Sequence, residues 1–285
     1  GATLYDQPGR LAPSLHLWRG LVGWLGGFFV LVTAVAILAP MNLGGFEVMS
    51  AAPVGSSSGQ GIEGADPARR LRHQVAVTAP VYGGLTLLLW IGLIAAGDAP
   101  LTGLIHAMST LSTSGISPTG GMTAAGAGRM GEVLIFLFLF FAISRRTMPV
   151  ALGTVQRFNL WEDPEFRIGV VTVATLPVAL FALHWWEAFR IGDLPGPSQM
   201  GATLWGNAFT VLSFLTTTGF ASSDWGGAVS WSGLRTPGLV LVGLALVGGG
   251  VATTAGGVKI LRIYALYLQG LREIEKIVHP HSVGG

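Results

Sequence analysis

Hydrophobic and polar positions alternate along this chain in long blocks rather than at helical or strand period. Apolar runs near the roughly 20 residues needed to cross a bilayer extend from Leu21 to Leu38, from Val75 to Ala96 and from Ile168 to Trp186. Trp18 and Trp24 extend the first, which closes at Pro40. A shorter run, Val133 to Ile143 with its start near Met130, stops before Arg145-Arg146, and a fifth, Leu239 to Leu268, is interrupted by glycines. These five predict membrane-spanning helices. Leu101 to Thr113 and Met200 to Thr218 are also apolar, but shorter and richer in Ser and Thr, which suits re-entrant helices. Ala51 to Gly64 reads as a flexible Gly/Ser loop. The alternating charges Arg272, Glu273, Glu275 and Lys276 predict a short solvated helix at the tail.

Composition agrees. Of 285 residues 51% are hydrophobic and 11% charged, against about 25% charged in a soluble domain, and mean hydropathy is +0.61. The expected class is an all-α integral membrane protein in contact with lipid. A pI near 9.3 conceals a net charge of only +2, which gives no basis for nucleic-acid binding. The absence of cysteine excludes disulfides, thiolate chemistry and Cys-ligated metals. Arginine clusters set the orientation. Arg69, Arg70 and Arg72, then Arg145, Arg146, Arg157 and Arg167, then Arg262, Arg272 and Lys276 fall on one side, the cytoplasmic one, if the short helices dip in and return. Trp185-Trp186 sits where an interfacial aromatic belt belongs.

Two segments repeat. "TLSTSGIS" ends its short apolar segment at Gly115, and "FLTTTGFA" does so at Gly219. Each comes after a span and a short helix and precedes a polar loop and another span. The N-terminal "GAT" is likewise succeeded by a polar loop and the Trp18 span, the same order as after Gly115 and Gly219, so Gly1 is read as the remnant of a third copy.

Irregular backbone at membrane depth must be buried in protein or line a wet cavity. A loop such as Thr216-Thr217-Thr218-Gly219 carries carbonyls without helical partners, and turned inward they can replace a cation's hydration shell. Hard oxygen ligands suit alkali ions, and the lack of a carboxylate in either loop argues against tight Ca²⁺ binding. The bland reading is a small-residue packing face between helices; repetition at a fixed interval favours the sharper one. "GGGVATTAGGVKILR", Gly248 to Arg262, holds too many glycines for a straight helix. It is either a packing face or an unwound barrier beneath the loops. Lys259 must then face a cavity, meet carbonyls or snorkel to the surface.

Two other functions compete. One is an intramembrane serine hydrolase using Ser114 with His106 or His184, for which no third orienting group is evident. The other is a non-conducting membrane scaffold with a transporter fold.

At "LWRGLVGWLGG" (Leu17 to Gly27), "STLSTSGIS" (Ser109 to Ser117), "EDPEFR" (Glu162 to Arg167), "LTTTGF" (Leu215 to Phe220), "GGGVATTAGGVKILR" and "VHP" (Val278 to Pro280), the sequence resembles the Trk/Ktr/HKT superfamily of potassium transporters, bacterial Trk membrane subunits above all. The motifs occur in family order and cover nearly the whole chain. The resemblance implies span–pore helix–span repeats around a pseudo-fourfold pore, with K+ held at a filter of backbone carbonyls and hydroxyls. By position the filter residues are Ser112, Thr113, Ser114 and Gly115 of the second repeat, Thr216, Thr217, Thr218 and Gly219 of the third, and Gly1 of the first. The gating loop is Gly248, Gly249, Gly250, Thr253, Thr254, Gly256 and Gly257, followed by Lys259. The implied divisions are 1–45 for the end of the first repeat, 46–71 for a cytoplasmic loop, 72–160 for the second repeat, 161–268 for the third with its gating loop, and 269–285 for a cytoplasmic tail. It also implies a homodimer, a cytosolic nucleotide-binding regulatory subunit, a multi-pass place in the bacterial inner membrane, no organic cofactor and no enzymatic activity. The partial first repeat, the missing fourth and the Arg145-Arg146 pair depart from the family pattern. The chain is therefore expected to be a fragment of a transport subunit or a piece needing a complement.

Overall fold

The computed structural model describes residues 7–39, 41, 67–147, 160–191, 196–226 and 237–278. Among them the chain is helical, with no strand. Eight α-helices carry the fold: α1 (Pro13–Thr33), α2 (Pro67–Ala95), α3 (Pro100–Leu111), α4 (Gly128–Leu139), α5 (Pro164–Ile191), α6 (Pro197–Leu215), α7 (Pro237–Val247) and α8 (Ile260–Val278). Six of these begin on proline, whose fixed φ and missing N–H suit the first helical turn.

Three helical stretches are long and apolar enough to cross a membrane: Pro13–Leu38, which joins α1 to a π-helical turn (Ala34–Leu38), Pro67–Ala95, and Pro164–Leu183 within α5. They correspond to the first, second and fourth apolar runs. Their outward faces are greasy; Trp18, Phe29, Leu88, Ile91, Val171 and Val178 are all exposed, as a lipid-facing surface requires. Both α2 and α5 carry an internal proline thirteen residues after the first, Pro80 and Pro177.

The other two runs differ from expectation. Val133–Ile143 lies on α4, which covers only 12 residues and tightens into a 3-10 turn at Phe140–Ala142. Arg145–Thr147 forms a separate 3-10 turn beyond it, so the arginine pair lies outside the helix. The fifth run is two helices, α7 and α8, with an irregular segment from Gly248 to Lys259 between them. The charged tail is the end of α8 rather than a helix of its own. The two short helices are also unequal: α3 has 12 residues and α6 has 19. Their C-terminal ends correspond, so α6 carries about two more turns at its N-terminal end, where Gln199 Oε1 accepts the Gly196 N–H.

Packing repeats as well. α2 packs on α3 and α5 on α6; α3 packs on α4 and α6 on α7; α1 packs on α3 as α4 packs on α6. Each short helix thus sits among its own two helices and one from the preceding unit. On α1 the contact is made by Gly20, Gly23 and Gly27. A Cβ at Gly27 would lie 2.8 Å from Ser112 Cα, and one at Gly23 3.1 Å from Ser114 Oγ. Small residues bring membrane helices to such range. The core runs through the short helices, with Ile105, Phe209, Val211 and Leu212 fully buried.

Candidate functional site

The candidate site begins where α3 and α6 stop. Each helix ends on a hydroxyl residue that turns its side chain back to the same carbonyl that accepts its backbone N–H. Ser112 Oγ donates to Met108 O at 2.8 Å, and Thr216 Oγ1 to Leu212 O at 2.9 Å. The next backbone N–H groups share one scheme. Thr113 N donates to Thr110 O and Thr217 N to Phe214 O; Ser114 N donates to Ser109 O and Thr218 N to Ser213 O. Past the glycines, Ile116 N donates to Ser109 Oγ at 2.6 Å and Phe220 N to Ser213 Oγ at 2.7 Å. Even the hydroxyl pairs Ser112–Ser114 and Thr216–Thr218 share a separation of 3.0 Å. The two loops share this scheme and differ at the glycine, where Gly219 N alone also donates to Ser213 O.

Their backbone is strained at the same places. Among the described residues, four non-glycine residues have positive φ: Thr113 (50°), Thr217 (58°), Ala252 (56°) and Lys259 (85°). All four belong to the candidate filter or gating residues or lie between them. A β-branched residue in this region is an outlier that costs on the order of 1–3 kcal/mol and persists where surrounding structure enforces it. Gly115 (φ 65°) and Gly219 (φ 84°) supply the next left-handed positions, which glycine adopts at little cost.

Ser112, Thr113, Thr216 and Thr218 are buried, whereas Ser114, Gly115, Thr217 and Gly219 are partly accessible. Both helices point their C-terminal ends, the partially negative pole of the helix dipole, at these loops. Negative poles, oxygen-rich backbone and no positive side chain within either loop favour a cation.

The glycine-rich segment meets both loops. Thr254 Oγ1 donates to Leu111 O at 3.1 Å, at the end of α3. Gly256 N donates to Thr217 Oγ1 at 2.6 Å. On its other side Gly250 N donates to Ala142 O, and Val251 N donates to the buried Glu165 Oε1 at 2.7 Å. Thr253 Oγ1 closes a turn onto Gly250 O. The glycines are demanded by close backbone approach. A Cβ at Gly248 would lie 2.1 Å from Gly256 O, at Gly249 2.4 Å from Ala142 O, at Gly250 2.3 Å from Ile143 O, and at Gly257 2.5 Å from Gly248 Cα. Lys259 turns inward, its ammonium donating to Ala255 O, so of the three sequence alternatives it meets a carbonyl. Gly1 lies outside the described residues.

Several polar side chains beside the loops escaped sequence reading. Glu132, fully buried on α4, accepts from Trp205 Nε1 (2.9 Å), Ser222 Oγ (2.8 Å), Ser223 N (2.7 Å) and Ser223 Oγ (2.8 Å). A lone glutamate in "GEVLIFLFLFF" was a visible signal, since an ionisable residue in an apolar run calls for a partner. Beside it Arg129 makes a two-bond ion pair with Asp224, both contacts at 3.0 Å. His106 faces Ser117 Oγ (2.9 Å) and Asp98 Oδ2 (3.4 Å), not Ser114. Ser114 Oγ meets the hydroxyls of Ser109 and Ser112. His106 therefore does not pair with Ser114 as a nucleophile's base must, and the His184 side chain lies outside the described residues. Asp98 also accepts from Ala127 N at 2.8 Å. Burial pushes its carboxyl up, but the His106 and Ala127 hydrogen bonds outweigh that and hold it below the usual carboxylate range.

Comparison with known proteins gives the family and the fold. The Trk system potassium uptake protein TrkH of Salmonella typhimurium is 28% identical over 99% of this chain and 55% of its own length. The protein of the same name from Escherichia coli K12 is 27% identical over 99% of this chain and 55% of its own. The crystal structure of the potassium transporter TrkH from Vibrio parahaemolyticus superposes with a TM-score of 0.73 at 26% identity, over 100% of this chain and 54% of that one. The chain spans about half the length of the curated relatives it matches. The TrkH family profile, described as cation transport protein, matches residues 133–284, and the chain belongs to that family of integral membrane proteins.

Proposed function

We propose that this chain takes part in moving potassium across the membrane, through a filter to which residues 112–115 and 216–219 contribute backbone carbonyls and hydroxyls. The observation that carries the reading is the shared scheme of hydrogen bonds and left-handed residues in two strained hydroxyl-glycine loops at the ends of two short helices. Packing faces need small residues; they do not need the same left-handed threonine twice. Hydroxyls of Ser112 and Thr216 are committed as donors to their helices, so they brace the loops while carbonyls face the ion. The relatives' names, which record potassium uptake, support potassium as the cation.

In the same reading, residues 248–257 gate the path from beneath, tethered to one loop through Thr254 and to the other through Gly256. Residues 72–160 and 161–268 are two successive repeats of a pseudo-fourfold ring, with Gly1 at the end of an earlier one. The complete protein sits in a bacterial inner membrane as a homodimer that works with a cytosolic nucleotide-binding subunit. As a member of a transport family the chain is not an enzyme. A non-conducting scaffold with a transporter fold is the second reading.

Ion flux into liposomes separates the two. The complete protein should pass potassium in preference to sodium, and Gly219→Ser should weaken that preference, because serine resists φ 84°. A Gly219→Ser protein with unaltered preference refutes the filter assignment; absence of flux from every length of the protein favours the scaffold.

A further inference from the structure

The two loops are alike up to Phe220 and then differ in what anchors them. After Gly115 the chain is held within its own unit, by His106 of α3 on Ser117 Oγ. After Gly219 the anchor comes from the preceding unit. Glu132 of α4 receives four hydrogen bonds: two from Ser223, through its N–H and its hydroxyl, one from the Ser222 hydroxyl and one from the Trp205 indole of α6. All four partners donate, which matches a group whose two oxygens act as acceptors. Ser222 is fixed further, its N–H donating to Thr210 Oγ1 at 3.3 Å and its Oγ accepting from Asp224 N at 3.2 Å.

Arg129, one turn earlier on α4, pairs with Asp224, so residues 129 and 132 grip three consecutive positions of one loop. The two grips are unequal. Arg129 is 64% exposed, and surface pairs contribute little. Glu132 is 0% exposed, where each donor left without its acceptor carries the full desolvation penalty. Glu132 is thus the contact that sets where the third loop lies relative to the second.

We propose that Glu132 is a specificity-determining positioning residue: through Ser222 and Ser223 it fixes the third filter loop against the second unit, and so sets the preference for potassium over sodium. This rests on the filter reading above. It adds that selectivity at one loop is maintained by a carboxylate of the neighbouring repeat, in contact with neither the ion nor the glycine.

The test is the potassium-to-sodium flux ratio of the complete protein in liposomes, for wild type, Glu132→Gln, the double variant Ser222→Ala/Ser223→Ala, and Gly219→Ser. Because it is a ratio, fewer folded molecules leave it unchanged, whereas a displaced loop moves it. Glu132→Gln is expected to lower the ratio about tenfold, the scale of one or two lost buried hydrogen bonds, and the serine double variant should lower it in the same direction. Wild-type ratios in both, beside a lowered ratio in Gly219→Ser, overturn the positioning role and leave the filter standing. An unchanged ratio in all three variants overturns both. If Glu132→Gln does not reach the membrane, the serine variant, which keeps the carboxylate, decides alone, and a wild-type ratio there overturns the proposal.

Discussion

At the scale of single residues, the site is written in backbone conformation more than in side-chain chemistry. Glycine at 248–250 is required because other backbone occupies the space a Cβ would need; Gly250→Ala would place a methyl 2.3 Å from Ile143 O. Overpacking of this kind costs about 1–3 kcal/mol, so the variant should melt at lower temperature in detergent than wild type, and an equal melting temperature would show that the segment yields freely. Asp98 makes a second prediction. Its folded carboxyl titrates below the ordinary value, so its stabilising contribution is complete above the unfolded value of about 3.9 and is lost as pH falls through the folded value. Asp98→Asn should therefore lower thermal stability at pH 7 and narrow its difference from wild type below about pH 4. A difference independent of pH over that range would contradict the assignment.

At the scale of elements, what was legible in the sequence divides along physical lines. The long spans were legible because lipid demands uninterrupted apolar residues; α1, α2 and α5 lie where the runs do. The loops were legible because threonine and glycine are conspicuous against that background, and they were recognised as a pair because they recur. Three features were less legible. The start of α6 at Pro197, three residues before the apolar segment that opens at Met200, lies in polar residues that hydropathy does not mark. The break between α7 and α8 was expected from its glycines, but its ends depend on contacts with Ala142, Ile143 and Glu165, which lie far off in sequence. Glu132 and Asp98 take their meaning wholly from partners on other elements. The segment between α7 and α8 gives the prediction at this scale. Thr217→Val removes the acceptor of the Gly256 N–H, freeing one of the tethers to the filter loops. Leak through the reconstituted protein should rise, as it should on deletion of residues 248–257. A fall in flux without leak would mean that the segment supports the loops and does not block the path.

At the scale of the whole molecule, the arrangement is one unit used again. Each short helix is held by two helices of its own unit and one of the unit before, and its C-terminal end presents an oxygen-rich loop to the glycine-rich segment. The chain belongs to a cation-transport family and superposes on a potassium transporter; the filter reading proposed above gives each loop a part in a cation pathway. The central claim is that the ion rests on those loops. Its most direct measurement is a crystal structure of the complete protein in rubidium or thallium salt, read by anomalous scattering. The account predicts a peak bounded by the backbone carbonyls of residues 112–115 and 216–219, weakened in Gly219→Ser. Ordered density for both loops with no anomalous peak between them, in a protein that still passes the ion, would contradict it.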